Sequence, residues 1–236
     1  MTVNELADTL RSRDVLFNVF SQVFFDVPDD DIDKITEETL ALMASVAETT
    51  ANEDVKEGFS ILSGVFSERD NSISKCLSET RLERSIAYTS LFILGKESES
   101  VYESVHRSPE KLLKQESWSD VKAFYLQNGF CRTDKMNIVE DHISIELQFM
   151  GLLSGKAAEA CEREDFKTCR EILAVQLRFY EEHISKWIPG LCTNIAEHKD
   201  KAGFAFYSAY AFLLKGFIAE DMLFLTNGCG FFVQEA

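Results

Sequence analysis

The sequence predicts an all-α fold, a single-domain helical bundle of roughly eight to eleven helices. Three observations carry this. Only three prolines, at 28, 109 and 189, interrupt 236 residues. Apolar residues recur at i, i+3 and i+4 from one end of the chain to the other. No stretch alternates apolar and polar residues as a half-buried strand does. Hydrophobic residues make up 45% and charged residues 27%, the composition of an ordinary folded protein with a sizeable core.

Val15, Leu16, Val19, Phe20, Val23 and Phe24 form a broad apolar stripe on a first helix. Pro28 and the acidic run Asp29 to Asp31 end it and cap a second, which runs to about Glu48. Asn52 opens a third helix that turns Val55, Phe59, Leu62 and Phe66 inward. Residues 72–94 read as a long fourth helix with Ile86, Leu91 and Phe92 towards the core. Tyr88 and Phe92 are core candidates as well. Gly95 to Ser100 then breaks the pattern. The irregular stretch from about 95 to 138 reads as a hinge between an N-terminal half, 1–94, and a C-terminal half, 139–236. Within it, Pro109 sits where a helix likes to start. Another helix runs from about Ser119, Gly129 suits a C′ position, and 130–138 is a second loop. Helices then cover 139–162, 166–188 and 202–226. Pro189-Gly190 closes the middle one, and Asn227-Gly228-Cys229-Gly230 reads as a helix stop.

The net charge is −16. Nucleic acid and anionic membrane surfaces are poor partners for such a chain. Solubility explains the charge blandly; a surface that attracts a basic peptide explains it more sharply. The six cysteines, at 76, 131, 161, 169, 192 and 229, form no CxxC and read as reduced thiols packed in the core. The N-terminus lacks the apolar run of a signal peptide. Ala202 to Leu214 is the most apolar segment and is too short to span a bilayer. A cytoplasmic protein with no stable membrane insertion is expected.

No Walker A sequence, GxGxxG, HExxH or GxSxG occurs, so no catalytic residue is expected. The informative stretch is Glu140 to Leu147. At helical spacing, His142, Glu146, Phe149 and Leu153 share one stripe. Ile145 and Leu152 flank it on one side, Met150 and Ile143 on the other, and Ser144, Gln148 and Gly151 lie opposite. An imidazole and a carboxylate among apolar neighbours must be paired or lie at a pocket. Both a buried structural bond and the wall of a binding pocket fit His142. His183, one turn from Phe179, Tyr180 and Trp187, reads first as a core residue. Tyr102, Glu103 and Ser104 fall in the irregular stretch, where binding groups concentrate. A carboxylate-bridged dimetal bundle needs two Glu-x-x-His pairs; Glu103 and His106 supply one. A metal-dependent helical enzyme using His142, Glu146 and His183 is therefore an alternative with an incomplete ligand set. A helical regulatory scaffold is another. No metal or other cofactor is expected.

Four segments together resemble a known family. Ala87-Tyr88-Thr89-Ser90-Leu91-Phe92 looks like the Tyr-x-x-Leu-Phe segment of the TorD/DmsD/NarJ-type chaperones. Val101-Tyr102-Glu103-Ser104-Val105 is similar to their Tyr-x-Ser segment. Residues 141–150, Asp-His-Ile-Ser-Ile-Glu-Leu-Gln-Phe-Met, resemble their Asp-His-x-x-x-Glu-Leu-x-Phe-Met signature. His183-Ile184-Ser185-Lys186-Trp187-Ile188-Pro189 resembles their His-x-x-x-Trp-x-Pro segment. The chain departs from the pattern at Val139, where the family has proline, and at Ala87, where it often has an acid. The resemblance implies an all-helical cytosolic chaperone for a molybdopterin oxidoreductase of the dimethyl sulfoxide reductase family. Such a protein binds the twin-arginine leader and the body of the apo-enzyme, and holds it back from export until its cofactor is inserted. By the same resemblance Asp141 and His142 would line the leader-binding cleft, with Tyr102 and Ser104 nearby and Glu146 supporting; His183 and Trp187 are counted among the leader-binding residues. Asp141 and Glu103 would meet the arginines. Monomer and domain-swapped dimer both stay open.

Overall fold

The computed structural model describes residues 2–27, 30–67, 81–94, 98–131, 138–201 and 203–231. Ten α-helices follow one another among them: α1 (Val3–Val23), α2 (Asp30–Thr49), α3 (Glu53–Ser67), α4 (Arg81–Tyr88), α5 (Glu103–Arg107), α6 (Glu116–Gln127), α7 (Ile143–Glu162), α8 (Phe166–Glu182), α9 (Ile188–Ala196) and α10 (Ala205–Phe231). A π-helical segment, Thr89–Ile93, continues α4, and a 3-10 turn, Ile184–Lys186, follows α8. Among the described residues no strand forms, and one isolated antiparallel bridge pairs Tyr102 with His142. The all-α expectation holds. None of these helices is long and apolar enough to cross a membrane. The expected cap at Pro28 and Asp29, positions 72–80 with Cys76, 95–97, 132–137 and the side chain of Cys229 lie outside the described residues.

The chain divides into two units. One draws on residues 1–21, 102–187 and 221–236, the other on 22–101 and 188–220.

In the first unit α7 is buried nearly all round. Ser144 and Gly151, expected on its polar side, are buried, and Leu152, expected to flank the apolar stripe, is 45% exposed. The reason is α1, which crosses that side. Ser21 donates to the Ser144 carbonyl at 2.8 Å. A Cβ at Gly151 would come within 3.3 Å of Asp14, Phe17 and Asn18, so glycine there lets the two helices approach. The ring cluster Phe124, Tyr125, Phe149 and Phe179 fills the space between α6, α7 and α8, with centroids 4.8–6.1 Å apart. The helix expected over 166–188 stops at Glu182. Ser185 donates to the Tyr180 carbonyl at 2.7 Å, a local bond that competes with the helical ladder. Pro109 does not start a helix. It follows Ser108, whose extended backbone (φ −87°, ψ 140°) ends α5 as the residue before proline prefers. Gly129, with φ +71°, follows α6 as expected.

In the second unit Asn52 caps α3, accepting from the Asp54 and Val55 amides at 3.0 and 3.2 Å. The first part of α10 packs on α3 so closely that a Cβ at Gly58 would sit 2.7 Å from the Ala209 carbonyl oxygen. Buried Arg84 pairs bidentately with Asp33 and lies 4.9 Å from the Phe206 ring centroid. Leu91 is buried as expected, but Ile86 is 56% exposed. The two stand five residues apart, about 140° round an α-helix, so they do not share one face; the π-helical segment is closed by the Leu94 amide on the Thr89 carbonyl at 2.9 Å. Pro189 lies in the first turn of α9 and so opens a helix rather than closing one. α10 itself runs through Asn227 to Gly230, where a stop was expected; glycine weakens a helix without removing its hydrogen bonds.

Candidate functional site

The site begins where the chain meets α7. His142 is not inside the helix, as the stripe suggested, but caps it. Its backbone is extended (φ −77°, ψ 136°), and its Nδ1 accepts from the Ser144 amide at 3.1 Å. The Ser144 hydroxyl reaches the same nitrogen at 2.5 Å. Burial pushes the His142 imidazole down to about 4, so the ring is neutral near pH 7 and free to accept.

Asp141, one residue earlier, holds the start of α5. Its carbonyl accepts from the Glu103 amide at 3.0 Å, and its Oδ2 accepts from the Ser104 amide at 2.8 Å. Tyr102 thereby lies beside His142, their rings 5.0 Å apart. The Ser104 hydroxyl accepts from the Lys114 amide at 3.2 Å and ties down the α5–α6 connection. From this start Glu103 turns inward. Its Oε1 accepts from Arg107, one turn along α5, and its Oε2 lies 3.1 Å from His183 Nδ1. Glu146, in the first turn of α7, accepts from Trp187 Nε1 at 3.1 Å. Trp187 lies in turn against the His106 ring at 5.1 Å.

All eight residues singled out in the sequence therefore meet in one knot. They do not line an open cleft. Glu103, Ser104, Asp141 and Glu146 are fully buried, and His142, His183 and Trp187 are nearly so; Tyr102 alone is part-exposed. The backbone bridges between Tyr102 and His142 beside the buried carboxylates. The knot is rich in acid. Burial raises the Asp141 carboxyl above its usual range against the bonds from Ser104. Burial, then the nearby charge of Glu103, raises Glu146 well above its usual range. Protonated, Glu146 can donate to Glu103; ionised, its Oε1 has no hydrogen-bond partner. Asp141 Oδ1 and the Tyr125 hydroxyl also lack one. Burial and the charges of Glu146 and Glu103 push that hydroxyl well up.

Outside the knot runs a groove. A cavity of about 490 Å³ lies between α6 and the end of α8, lined among others by the acids Asp120, Glu181 and Glu182, the cations Arg107 and Lys186, and Phe124 and His183, with Arg178 3.8 Å from Glu182. A neighbouring cavity of about 340 Å³ shares Arg107 and Asp120 and adds Glu110 and Glu116. Of the eight, His183 faces this groove, and Glu103 meets it through Arg107. Leu112 and Leu113, 56% and 49% exposed, sit on the same α5–α6 connection.

The sequence model of the family described as nitrate reductase delta subunit matches residues 31–193, well over half of the chain. The chain belongs to that family. Chaperone protein TorD of Photobacterium profundum is 27% identical over 154 residues, 65% of this chain and 68% of its own. Chaperone protein TorD of Aliivibrio fischeri is 27% identical over 150 residues, 63% of this chain and 67% of its own. That of a Shewanella species is 30% identical over 146 residues, 61% and 63%. The chain is thus a molybdoenzyme maturation chaperone and not an enzyme. The matched span contains the whole knot and the groove.

The rival metal site is not assembled. No group of three or more His, Cys, Asp or Glu that could hold a metal gathers among the described residues. His142 caps a helix, Glu146 holds a tryptophan and His183 pairs with Glu103. Sequence reasoning missed Arg107, Asp120, Glu181 and Glu182. Two signals could have found three of them, and none marks Asp120. Glu103 and Arg107 stand at i, i+4. Glu181 and Glu182 crowd the negative end of α8, with no basic residue in its last turn, against the helix dipole.

Proposed function

We propose that this chain is a cytoplasmic, system-specific chaperone that binds the twin-arginine leader and the apo form of a molybdopterin oxidoreductase of the dimethyl sulfoxide reductase family, and assists cofactor insertion before export. The acid-lined groove over the buried Glu103–His183 pair carries this reading. Asp120 and Glu181 offer carboxylates to the leader's arginines, which pair with such groups bidentately, and Glu182 does so in exchange for Arg178, 3.8 Å away. Leu112 and Leu113 offer an apolar continuation for the segment that follows the arginines. Asp141, His142, Glu146, Tyr102, Ser104 and Trp187 act from beneath, by fixing α5 and the end of α8 as the walls of the groove. A net charge of −16 steers a basic peptide inward, and the attraction weakens with salt.

The test is titration of a synthetic twin-arginine leader peptide, with a twin-lysine peptide as control. The triple variant Asp120→Asn/Glu181→Gln/Glu182→Gln is expected to bind about tenfold more weakly than wild type and with a flatter salt dependence. Unchanged affinity and unchanged salt dependence would remove the groove from the leader site.

A further inference from the structure

We infer that the floor of the groove is a guanidinium-binding subsite, made by the Glu103 carboxylate and the Glu182 carbonyl oxygen, which Arg107 of this chain fills until an arginine of the client displaces it. The inference rests on the leader-binding reading and narrows it to one side chain.

The two members of the present pair differ in freedom. The Glu103 side chain is fully buried, whereas that of Arg107 is 35% exposed. Glu103 is fixed from several sides. Its amide is bound to the Asp141 carbonyl, its neighbour Ser104 to the Asp141 carboxylate, and its own carboxylate to His183. Arg107 reaches it from one turn away on a five-residue helix and through Nη1 alone. The same nitrogen donates to the Glu182 carbonyl at 3.0 Å. A guanidinium carries five N–H groups in a planar fork. Both bonds are made from one nitrogen, and Arg107 borders both cavities.

The energetics point the same way. Arg107 is 35% exposed and bound through one nitrogen, so another guanidinium can be exchanged for it from the groove side at small net cost. A buried carboxylate left with His183 and the protonated Glu146 as its partners lacks a full counter-charge, so the vacated site favours another cation. The site therefore favours a cation and holds its own one loosely. A carboxylate oxygen beside a carbonyl oxygen suits the spread donors of a guanidinium better than the point charge of an ammonium. Asp120, Glu110 and Glu116, which line the same cavities, can receive Arg107 once it has swung out.

The test uses the full chain carrying Arg107→Ala, followed by thermal unfolding with added methylguanidinium chloride, and with sodium chloride and methylammonium chloride as matched controls. Methylguanidinium is expected to raise the Tm of the variant saturably, by about 2 °C. Wild type, whose subsite is filled, and Arg107→Ala/Glu103→Gln, whose acceptor is gone, are expected to show no such rise. An equal response of wild type and variant, or of the two organic cations, overturns the inference. Should Arg107→Ala fail to fold, Arg107→Gln vacates the subsite and gives the same comparison. In a second arm the leader peptide is expected to bind the vacated variant about threefold more tightly than wild type, because no resident arginine competes. If no form binds leader peptide while methylguanidinium still discriminates, the leader reading falls and the subsite stands. If wild type binds leader peptide while methylguanidinium discriminates nothing, the subsite falls and the leader reading stands.

Discussion

Arg13 and Asp221 meet in the interior of the first unit, as Glu103, Asp141 and Glu146 do, but there every charge is answered. Arg13 holds Asp221 through two nitrogens at 2.5 and 2.9 Å and gives its third to Gln176 at 3.0 Å. Tyr180 donates to the same aspartate at 2.8 Å, and Gln176 passes on to the Met150 carbonyl and the Ser154 hydroxyl. One cation faces one anion, the geometry is bidentate, and neither ion is more than slightly exposed. The Glu103 cluster gathers three carboxyl groups. It leaves one oxygen of Asp141 and one of Glu146 without a hydrogen bond, and its arginine stands partly in solvent. A balanced cluster clamps α1, α8 and α10. An unbalanced one beside a groove is costly to keep unless a ligand uses it.

The contrast can be broken most forcefully at Asp221. Asp221→Ala strands the buried Arg13 guanidinium, and denaturant unfolding is expected to show a loss of about 3–5 kcal/mol. Leader affinity, measured under conditions where the variant is folded, is expected to stay at the wild-type value; a parallel loss would merge the two clusters into one functional unit.

His142 gives the next largest effect. Its folded value of about 4 lies below the unfolded 6.5, so the unfolded chain takes up the proton first. This contribution to stability is complete above pH 6.5 and is lost as pH falls to 4, by about 3 kcal/mol in all. His142→Asn keeps an acceptor for the Ser144 amide and carries no titrating ring. Its acid limb between pH 6.5 and 4 is expected to flatten, read as unfolding midpoints across pH. A limb as steep as that of wild type would assign the acid sensitivity elsewhere.

Glu146 sharpens the comparison with a smaller effect of opposite sign. Its carboxyl keeps its proton in the fold after the unfolded chain has released it, so stability declines as pH rises above the ordinary carboxylate range. Glu146→Gln is neutral at every pH and can still accept from Trp187. A gain of about 1 kcal/mol at about pH 8, shrinking towards about pH 5, is expected. A loss at the alkaline end would show that the ionised carboxylate is itself wanted.

The helices were readable because their causes are local: the stripe of α1, Asn52 capping α3, and Gly129 behind α6. Long-range packing defeated the helical wheel of α7, where α1 buries Ser144 and Gly151. The site was legible as a set of residues and not as a surface. Nothing in Asp141-His142 announces that both would be buried beside a bridge to Tyr102. Arg107 and the acids of α8 stayed hidden because their meaning depends on Glu103 and His183, distant in sequence, arriving at the same place. Pro109 and Pro189 misled in opposite directions, one beginning no helix and the other opening one.

The longest tie in this arrangement joins His183 to Glu103, 80 residues apart, and a second joins Trp187 to Glu146 across 41. Such ties set a schedule during synthesis. Until α8 and the turn after it have been made, the wall that holds His183 and Trp187 is missing. On the proposed reading, the groove is complete only once the chain has been made as far as Trp187, which would keep a nascent chaperone from capturing a client early.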